Sequence, residues 1–366
     1  MSDVVVIIGG GVAGLSMAWA LARRGVGDVV VLEREEQPGM HATGRSAASL
    51  VELDPHPVLQ RLKIGGAAFL RAPPPGFSDV PLLDQTGILE LYREPELGAV
   101  VAAIPDLEAQ GARLVPKSPA EVAASVDIEA SAIDGGVLLP DDGRIDVHAL
   151  LTGYARGAAL RRKTTVTGVV VERGAVRGVV TESGETISAR WVVDAAGAWA
   201  GPIARLAGAA PIPIAPLRRS IATFAAPADR EVARWPLVAS VPHHLYFAPE
   251  SGGLLLSPMD ETPSEPCDAR ADDVTIAAAI ERLRALAPRL APTTLRRRWA
   301  GLRSFAPDRA LVVGADPLVR GFFWLAGQGG CGLETSPFVA QIAADLLVDG
   351  KTERFDAALL APERFV

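Results

Sequence analysis

The sequence predicts an α/β protein whose chain weaves between two domains, and three observations carry that prediction. A β-branched run at residues 4–8 leads into a glycine-rich loop and then into helix formers at residues 15–24. A second glycine-rich loop, residues 327–332, follows another apolar run, residues 321–325, near the opposite end of the chain. Between them, residues 81–139 and 213–299 mix prolines, short strand-like runs and amphipathic segments such as 273–286. At 366 residues the chain exceeds one ordinary core. The expected division is one discontinuous α/β domain, residues 1–80, 140–212 and 300–366, and an α+β domain with a mixed sheet, residues 81–139 and 213–299.

Composition excludes several classes of function. Hydrophobic residues make up 49% and charged residues 22%, enough apolar surface for a core and too much for disorder. The formal charge is −7 and the densest basic cluster is Arg296, Arg297 and Arg298, too short to track nucleic-acid phosphates. Nucleic acid is not an expected partner. The two cysteines, Cys267 and Cys331, have no ligand-like spacing, so no metal and no disulfide scaffold is expected, and a reducing, cytoplasmic setting fits. Residues 4–22 are uncharged, but the Met-Ser-Asp before them carries no base and Gly9, Gly10, Gly11 and Gly14 interrupt the run. The stretch therefore reads as strand, loop and helix, neither a leader nor a transmembrane span.

The first unit carries the clearest chemistry. Gly9, Gly11 and Gly14 spell GxGxxG, with Val12 and Ala13 in the variable places, between the first strand and its helix. A second strand at residues 29–32 ends in Glu33, nineteen residues after Gly14. This is the fingerprint of a Rossmann-type dinucleotide unit in its required context. The glycines allow a tight turn and close approach to a pyrophosphate, which the helix N-terminus favours, and Glu33 can accept hydrogen bonds from a ribose diol. NAD and FAD both satisfy it. The polar, glycine-containing stretch 33–48, including Arg34, Thr43, Arg45, Ser46, Ala47 and Ala48, suits a path beside a long cofactor.

The rest of the chain favours FAD. Residues 145–160 read as a helix before a meander of strands at 164–172, 176–181 and 185–188, and residues 191–199 as a buried strand ending in small residues that include Ala196, Gly197 and then Trp199. Residues 73–76, Pro-Pro-Pro-Gly, are a turn. The loop 327–332 also spells GxGxxG and leads into a helix at 334–347, but no strand with a terminal acid follows. It reads as a glycine loop aiming a helix N-terminus at a ligand that gains negative charge, as a flavin does on reduction. Two such elements serving one long cofactor point to FAD.

Four further runs complete the pattern: Pro-Gly-x-His-x-Thr-Gly-Arg-Ser-Ala-Ala from Pro38, Asp-Ala-Ala-Gly-Ala-Trp from Asp194, Trp-Ala-Gly-Leu-Arg-Ser-Phe from Trp299, and Gln-Gly-Gly-x-Gly-x-x-Thr-Ser from Gln328. With the N-terminal fingerprint, in order along nearly the whole chain, they resemble the D-amino-acid oxidase superfamily, and within it the bacterial D-arginine dehydrogenase type of D-amino-acid dehydrogenase. The resemblance implies a glycine-oxidase-like fold with noncovalent FAD. It implies that Gly9, Gly11, Gly14 and Glu33 hold the ADP half, that Arg45, Ser46 and Ala47 line the path to the flavin, and that Val166 lies by the adenine. Ala196 and Gly197 would adjoin the cofactor, and Gly330, Gly332, Leu333 and Thr335, with Gly329, Cys331 and Glu334 in the same run, would border the isoalloxazine. Arg219, Tyr246 and Arg303 match residues that hold a substrate carboxylate, and Arg303 would also contact the cofactor. Where the D-arginine type has an acid for the cationic side chain, this chain has Ile88, and Asp54 stands in place of a tyrosine. Leu50, Val51, Leu53, Ile88, His244 and Gly330 would then complete a less polar pocket, unless Glu52 and Asp54 face inward and restore a cation site.

Chemistry supports the arginines independently, because a guanidinium fork matches a carboxylate bidentately; by composition alone Arg218 competes with Arg219. The expected reaction is oxidation of a small amino acid, a D-amino acid less polar than arginine, by hydride transfer from Cα to flavin N5. Hydrolysis of the imino acid then gives a 2-oxo acid and ammonia, with oxygen or a quinone as the final acceptor. Two alternatives stand beside it: oxidation of an N-methyl or cyclic secondary amine or a 2-hydroxy acid, and a flavin-binding subunit whose chemistry needs a partner.

Overall fold

The computed structural model describes residues 4–366. Residues 1–3, whose lack of a base weighed in the leader reading, lie outside the described residues. The β-branched run forms the strand Val5–Ile8, buried throughout, at the middle of a six-stranded sheet. Its neighbours are Val29–Leu32 and Ala159–Arg161 on one side and Trp191–Asp194 and Phe322–Ala326 on the other, all parallel, with Val312–Ala315 antiparallel at the edge. Burial on both faces explains its continuous apolar composition. One face carries the helices Val12–Arg23, Pro57–Arg71, Val147–Ala155 and Gly332–Asp349; the other carries the meander and the helix Ala200–Ala207.

The second large sheet has nine strands. Its central run is Ala215–Ala225, Gly253–Ser257, Leu245–Glu250, Leu237–Ser240 and Ile88–Tyr92. Arg297–Phe305 pairs along Ala215–Ala225, running through residue 300 without a break. One face of this sheet packs on the helix Asp273–Leu286, as its amphipathic pattern requires; the other carries Ile88, Ile221 and Tyr246, against which residues of the first domain such as Ala47 and Val51 pack.

The meander forms as expected, with left-handed turns at Arg173 and Gly174 and at Gly184. Two expectations are corrected. The helix expected at 145–160 stops at Ala155, since Gly157 turns left-handed and Ala159–Arg161 extends to pair with Val30–Leu32 on the sheet edge. The first helix begins at Val12 rather than residue 15, inside the glycine motif.

Candidate active site

Glycine shapes one end of the site. A Cβ on Gly9 would stand 2.5 Å from the carbonyl oxygen of Ala195, and one on Gly14 only 1.9 Å from that of Gly9, so loop, strand and helix close on each other only without side chains. The first helix has no side-chain cap of its own at Gly11. Thr43, from the polar stretch, supplies it by accepting the Val12 N–H at 3.1 Å. Glu33, at the end of its strand, accepts from Gly10 N–H at 2.7 Å and Glu35 N–H at 2.8 Å. The Arg34 guanidinium lies 3.7 Å above the Trp199 ring, and His41 packs beside that ring at 4.8 Å. Arg45 is committed to the protein, donating to Met40, Ala269 and Ala300 carbonyls and pairing with Asp268.

The other end is built by three strands of the nine-stranded sheet. Register sets Arg219 opposite Gly301 and Leu217 opposite Arg303, which brings Arg219, Ile221, Gly301 and Arg303 to one face. Arg218, one residue away, faces oppositely and pairs with Asp272 at 3.0 Å. Arg219 donates from Nε to the Asp260 carbonyl at 2.7 Å and from Nη2 to Glu261 at 3.2 Å. Its Nη1 and the hydroxyl of Tyr246 are buried without any hydrogen-bond partner. Burial, and then the charge of Arg303, lower the Arg219 pKa to about 10, so it remains charged at neutral pH. The guanidinium of Arg303 lies over Gly330, where a Cβ would come within 2.8 Å of Nη1. Two cations and a phenol thus converge with buried donors to spare.

A single cavity joins the two ends. Of the expected residues, its wall includes Gly9, Gly11, Val12, Ala13, Glu33, Arg34, Thr43, Arg45, Ser46, Ala47, Val166, Ala196, Gly197 and Trp199. Arg219, Tyr246, Arg303, Gly329, Gly330, Gly332 and Leu333 line it as well. The wall also includes residues that sequence reasoning did not assign to it. Ile221 and Gly301 were within reach of a two-residue strand period from Arg219 and Arg303, whereas nothing in the local pattern singles out Cys267 or Ala269.

Other expected residues lie off the wall. Gly14 is buried under Gly9, and Ala48, at φ 56°, turns into the core. Cys331 is buried behind the loop, where burial pushes its thiol up to about 12. Thr335 bonds back to the Cys331 carbonyl at 2.8 Å and Glu334 points away to Lys63. Leu50 and Ile88 are fully buried core residues, and Val51 packs at the edge of that core. His244 sits in an exposed turn at φ 47°. Asp54 pairs with Lys63 at 2.7 Å, and Glu52 with Arg71 at 2.6 Å. The chain's own cations therefore occupy both acids that were candidates for a cation site.

Among the described residues no cluster of three or more His, Cys, Asp or Glu is placed to hold a metal, and no helix is long and apolar enough to cross a membrane. Comparison with known proteins adds the decisive observation: the sequence pattern of the FAD dependent oxidoreductase family (DAO) matches residues 4–346. The chain belongs to this family. As an FAD-dependent oxidoreductase it is similar to a glycine oxidase of Pseudomonas putida, 28% identical over 99% of both chains. It is also 28% identical to the FAD-dependent oxidoreductase domain-containing protein 1 of Bos taurus, covering 100% of this chain and 85% of that one. The L-proline dehydrogenase of P. horikoshii has the same fold, with a TM-score of 0.87 and 25% identity over 100% of this chain and 98% of that one. FAD fits the cavity: its wall begins at the Gly9 and Gly11 backbone with Glu33 at the strand end, and the helix Gly332–Asp349 begins on the far wall.

Proposed function

We propose that the protein oxidises a small α-amino acid, a D-amino acid with an apolar or weakly polar side chain, at the carbon that bears the amine. The observation that carries this reading is the convergence of Arg219, Arg303 and Tyr246, with Arg219 Nη1 and the Tyr246 hydroxyl buried and unpartnered at the cavity wall. Two neighbouring guanidinium groups stabilise a carboxylate, and the phenol donates a further bond. Behind Tyr246 and Ile221 the sheet face is apolar, and pairing of Asp54 and Glu52 with the chain's own cations argues against a basic side chain. The D configuration rests on the resemblance of the motifs.

In this reading Gly9, Gly11 and Glu33 hold the ADP half of a noncovalently bound FAD, and residues 329–333 border its ring. FAD, when bound, supplies the acceptor for two electrons. The protein's part is positioning: fixing the carboxylate at two points aligns the Cα hydrogen, and such alignment is worth about 7–11 kcal/mol of a barrier. The same two cations favour the neutral form of the nearby amine: the ammonium proton goes to water, and the freed nitrogen lone pair assists loss of hydride from Cα. The imino acid then hydrolyses to a 2-oxo acid and ammonia. Oxygen or a quinone takes the electrons onward, and the two unpaired cysteines accord with a reducing, cytoplasmic setting.

A second reading, oxidation of a cyclic or N-methyl secondary amine, is favoured by the likeness to an L-proline dehydrogenase. Anaerobic bleaching of the flavin band by a panel of D- and L-amino acids, secondary amines and 2-hydroxy acids separates the two. Bleaching by apolar D-amino acids is the expected result. Bleaching by proline or sarcosine alone would move the function to the second reading, and none at all would point to a partner-dependent subunit.

A further inference from the structure

The reaction described above leaves one buried cluster unused. Lys63, from the middle of the helix Pro57–Arg71, is buried with its Nζ 2.7 Å from Asp54 and 3.2 Å from Glu334 in the first turn of Gly332–Asp349. Glu334 also accepts the Val51 N–H at 2.8 Å. The Cys331 thiol lies 4.0 Å from Asp54, between Gly330 and Gly332 of the cavity wall. Glu90, hydrogen-bonded by Tyr92, faces the same interior. Burial opposes charge on Lys63, but the carboxylates of Glu334 and Asp54 beside it reverse this and hold its ammonium well above the ordinary lysine range. Cys331 follows Gly330, over which the Arg303 guanidinium lies, so the cluster adjoins the wall.

From this geometry we propose that Lys63 and Glu334 form an electrostatic couple behind residues 329–333 that sets the reduction potential of the bound flavin. Lys63 is a positioning and tuning residue, distinct from the groups that touch substrate. The inference rests on the placement of the flavin ring against residues 329–333 made above. Reduction adds negative charge there, so a cation behind the loop stabilises the reduced form and an acid opposes it. At an effective interior dielectric near 20, one unit charge acting over about 10 Å is felt at roughly tenfold or more in an equilibrium. The couple also ties the start of the last helix to residues 51–54, which gives it a structural role from which the electrostatic one has to be separated.

The test is the midpoint potential of the FAD-loaded protein, measured anaerobically against reference dyes, for Lys63→Met, Glu334→Gln and the double variant. The expected result is a fall for Lys63→Met of at least about tenfold in the reduction equilibrium, about 30 mV for a two-electron couple. Glu334→Gln should move it the opposite way and the double variant should return toward the parent. Shifts of the two single variants in the same direction, or an unmoved potential in Lys63→Met with FAD bound, would overturn the proposal. If Lys63→Met does not fold, Glu334→Gln decides alone, a rise supporting the proposal and no rise overturning it. Failure of the parent protein to bind FAD would instead sink the underlying placement.

Discussion

The two ends of the cavity are built on opposite principles. At the nucleotide end a local unit sets the shape, side chains are absent where loop, strand and helix close on each other, Thr43 caps the helix and Glu33 is bonded at both oxygens. At the substrate end three strands distant in sequence bring together cations and a phenol, and donors are left over. The first end is a mould for a permanent tenant, stable because backbone fits backbone. The second keeps polar atoms unsatisfied at a cost of about 1–3 kcal/mol each, which a carboxylate bound there as proposed would remove.

The contrast is broken most severely at Gly14. In Gly14→Ala the added methyl would lie 1.9 Å from a backbone oxygen, with no flexible side chain to yield. We expect protein that purifies without FAD absorbance and unfolds at a lower temperature, because overpacking of about 1–3 kcal/mol falls on the element that cradles the cofactor. A yellow variant of unchanged stability would mean that the glycine turn is not a mould. Arg303→Ala should break only the other end: FAD stays bound, while truncation of one partner of a buried charge pair costs about 2–5 kcal/mol, at least about thirty-fold in flavin-reduction efficiency. Unchanged kinetics with FAD intact would make Arg303 structural.

The same contrast explains what was legible in the sequence. The nucleotide unit is local: strand, glycines, helix and Glu33 lie within residues 5–33, so spacing alone constrains their geometry. The helix overrun at 155–160 arose because Ala158 and Leu160 suit either conformation and only the open sheet edge decides. The substrate end is set by pairing across more than eighty residues of chain. Composition could not choose between Arg218 and Arg219; strand alternation does. Ile88 is assigned by its match to a family position and Leu50 by nearness to it, yet which face an apolar residue takes depends on the sheet it joins. Lys63 gave no signal, since a helix lysine normally reads as solvated.

Ionisation sharpens the comparison further. Arg219 has its pKa lowered to about 10 by burial and by Arg303. Its charge is therefore complete at neutral pH and lost as pH rises through about 10. If the proposed reaction holds, the ionisation that governs the rate below that limit is that of the substrate amine, and flavin-reduction efficiency should climb about tenfold per pH unit until the amine is neutral, then fall as Arg219 loses its proton. A stopped-flow profile that is flat from neutral to alkaline pH would remove the requirement for a neutral amine.

Tyr246→Phe should divide stability from affinity. Its hydroxyl is buried without a partner, so removing it deletes a desolvation cost and leaves thermal stability unchanged or higher. Substrate binding should weaken by about 0.5–1.5 kcal/mol, about two- to twelve-fold in KM, with the flavin spectrum unaltered. A drop in melting temperature with unchanged KM would make the tyrosine part of the core.

The smallest effect is the most discriminating, because it concerns adjacent arginines on one strand. Arg218 is partly exposed; it pairs with Asp272, the cap residue of Asp273–Leu286, at 3.0 Å and lies 3.8 Å from the buried Asp260 carboxylate, and the partly exposed Asp272 pair is worth about 0–1 kcal/mol. Arg218→Ala should thus shift the melting temperature by a few degrees at most and leave flavin reduction at the parental rate, whereas Arg219→Ala should resemble Arg303→Ala. The pair tests strand alternation itself: register puts Arg219 opposite Gly301 at the cavity and sends Arg218 to the other face. Equal kinetic losses in both variants would mean that the site senses total charge rather than the two-point geometry of Arg219 and Arg303, and alignment of the substrate would no longer explain the rate.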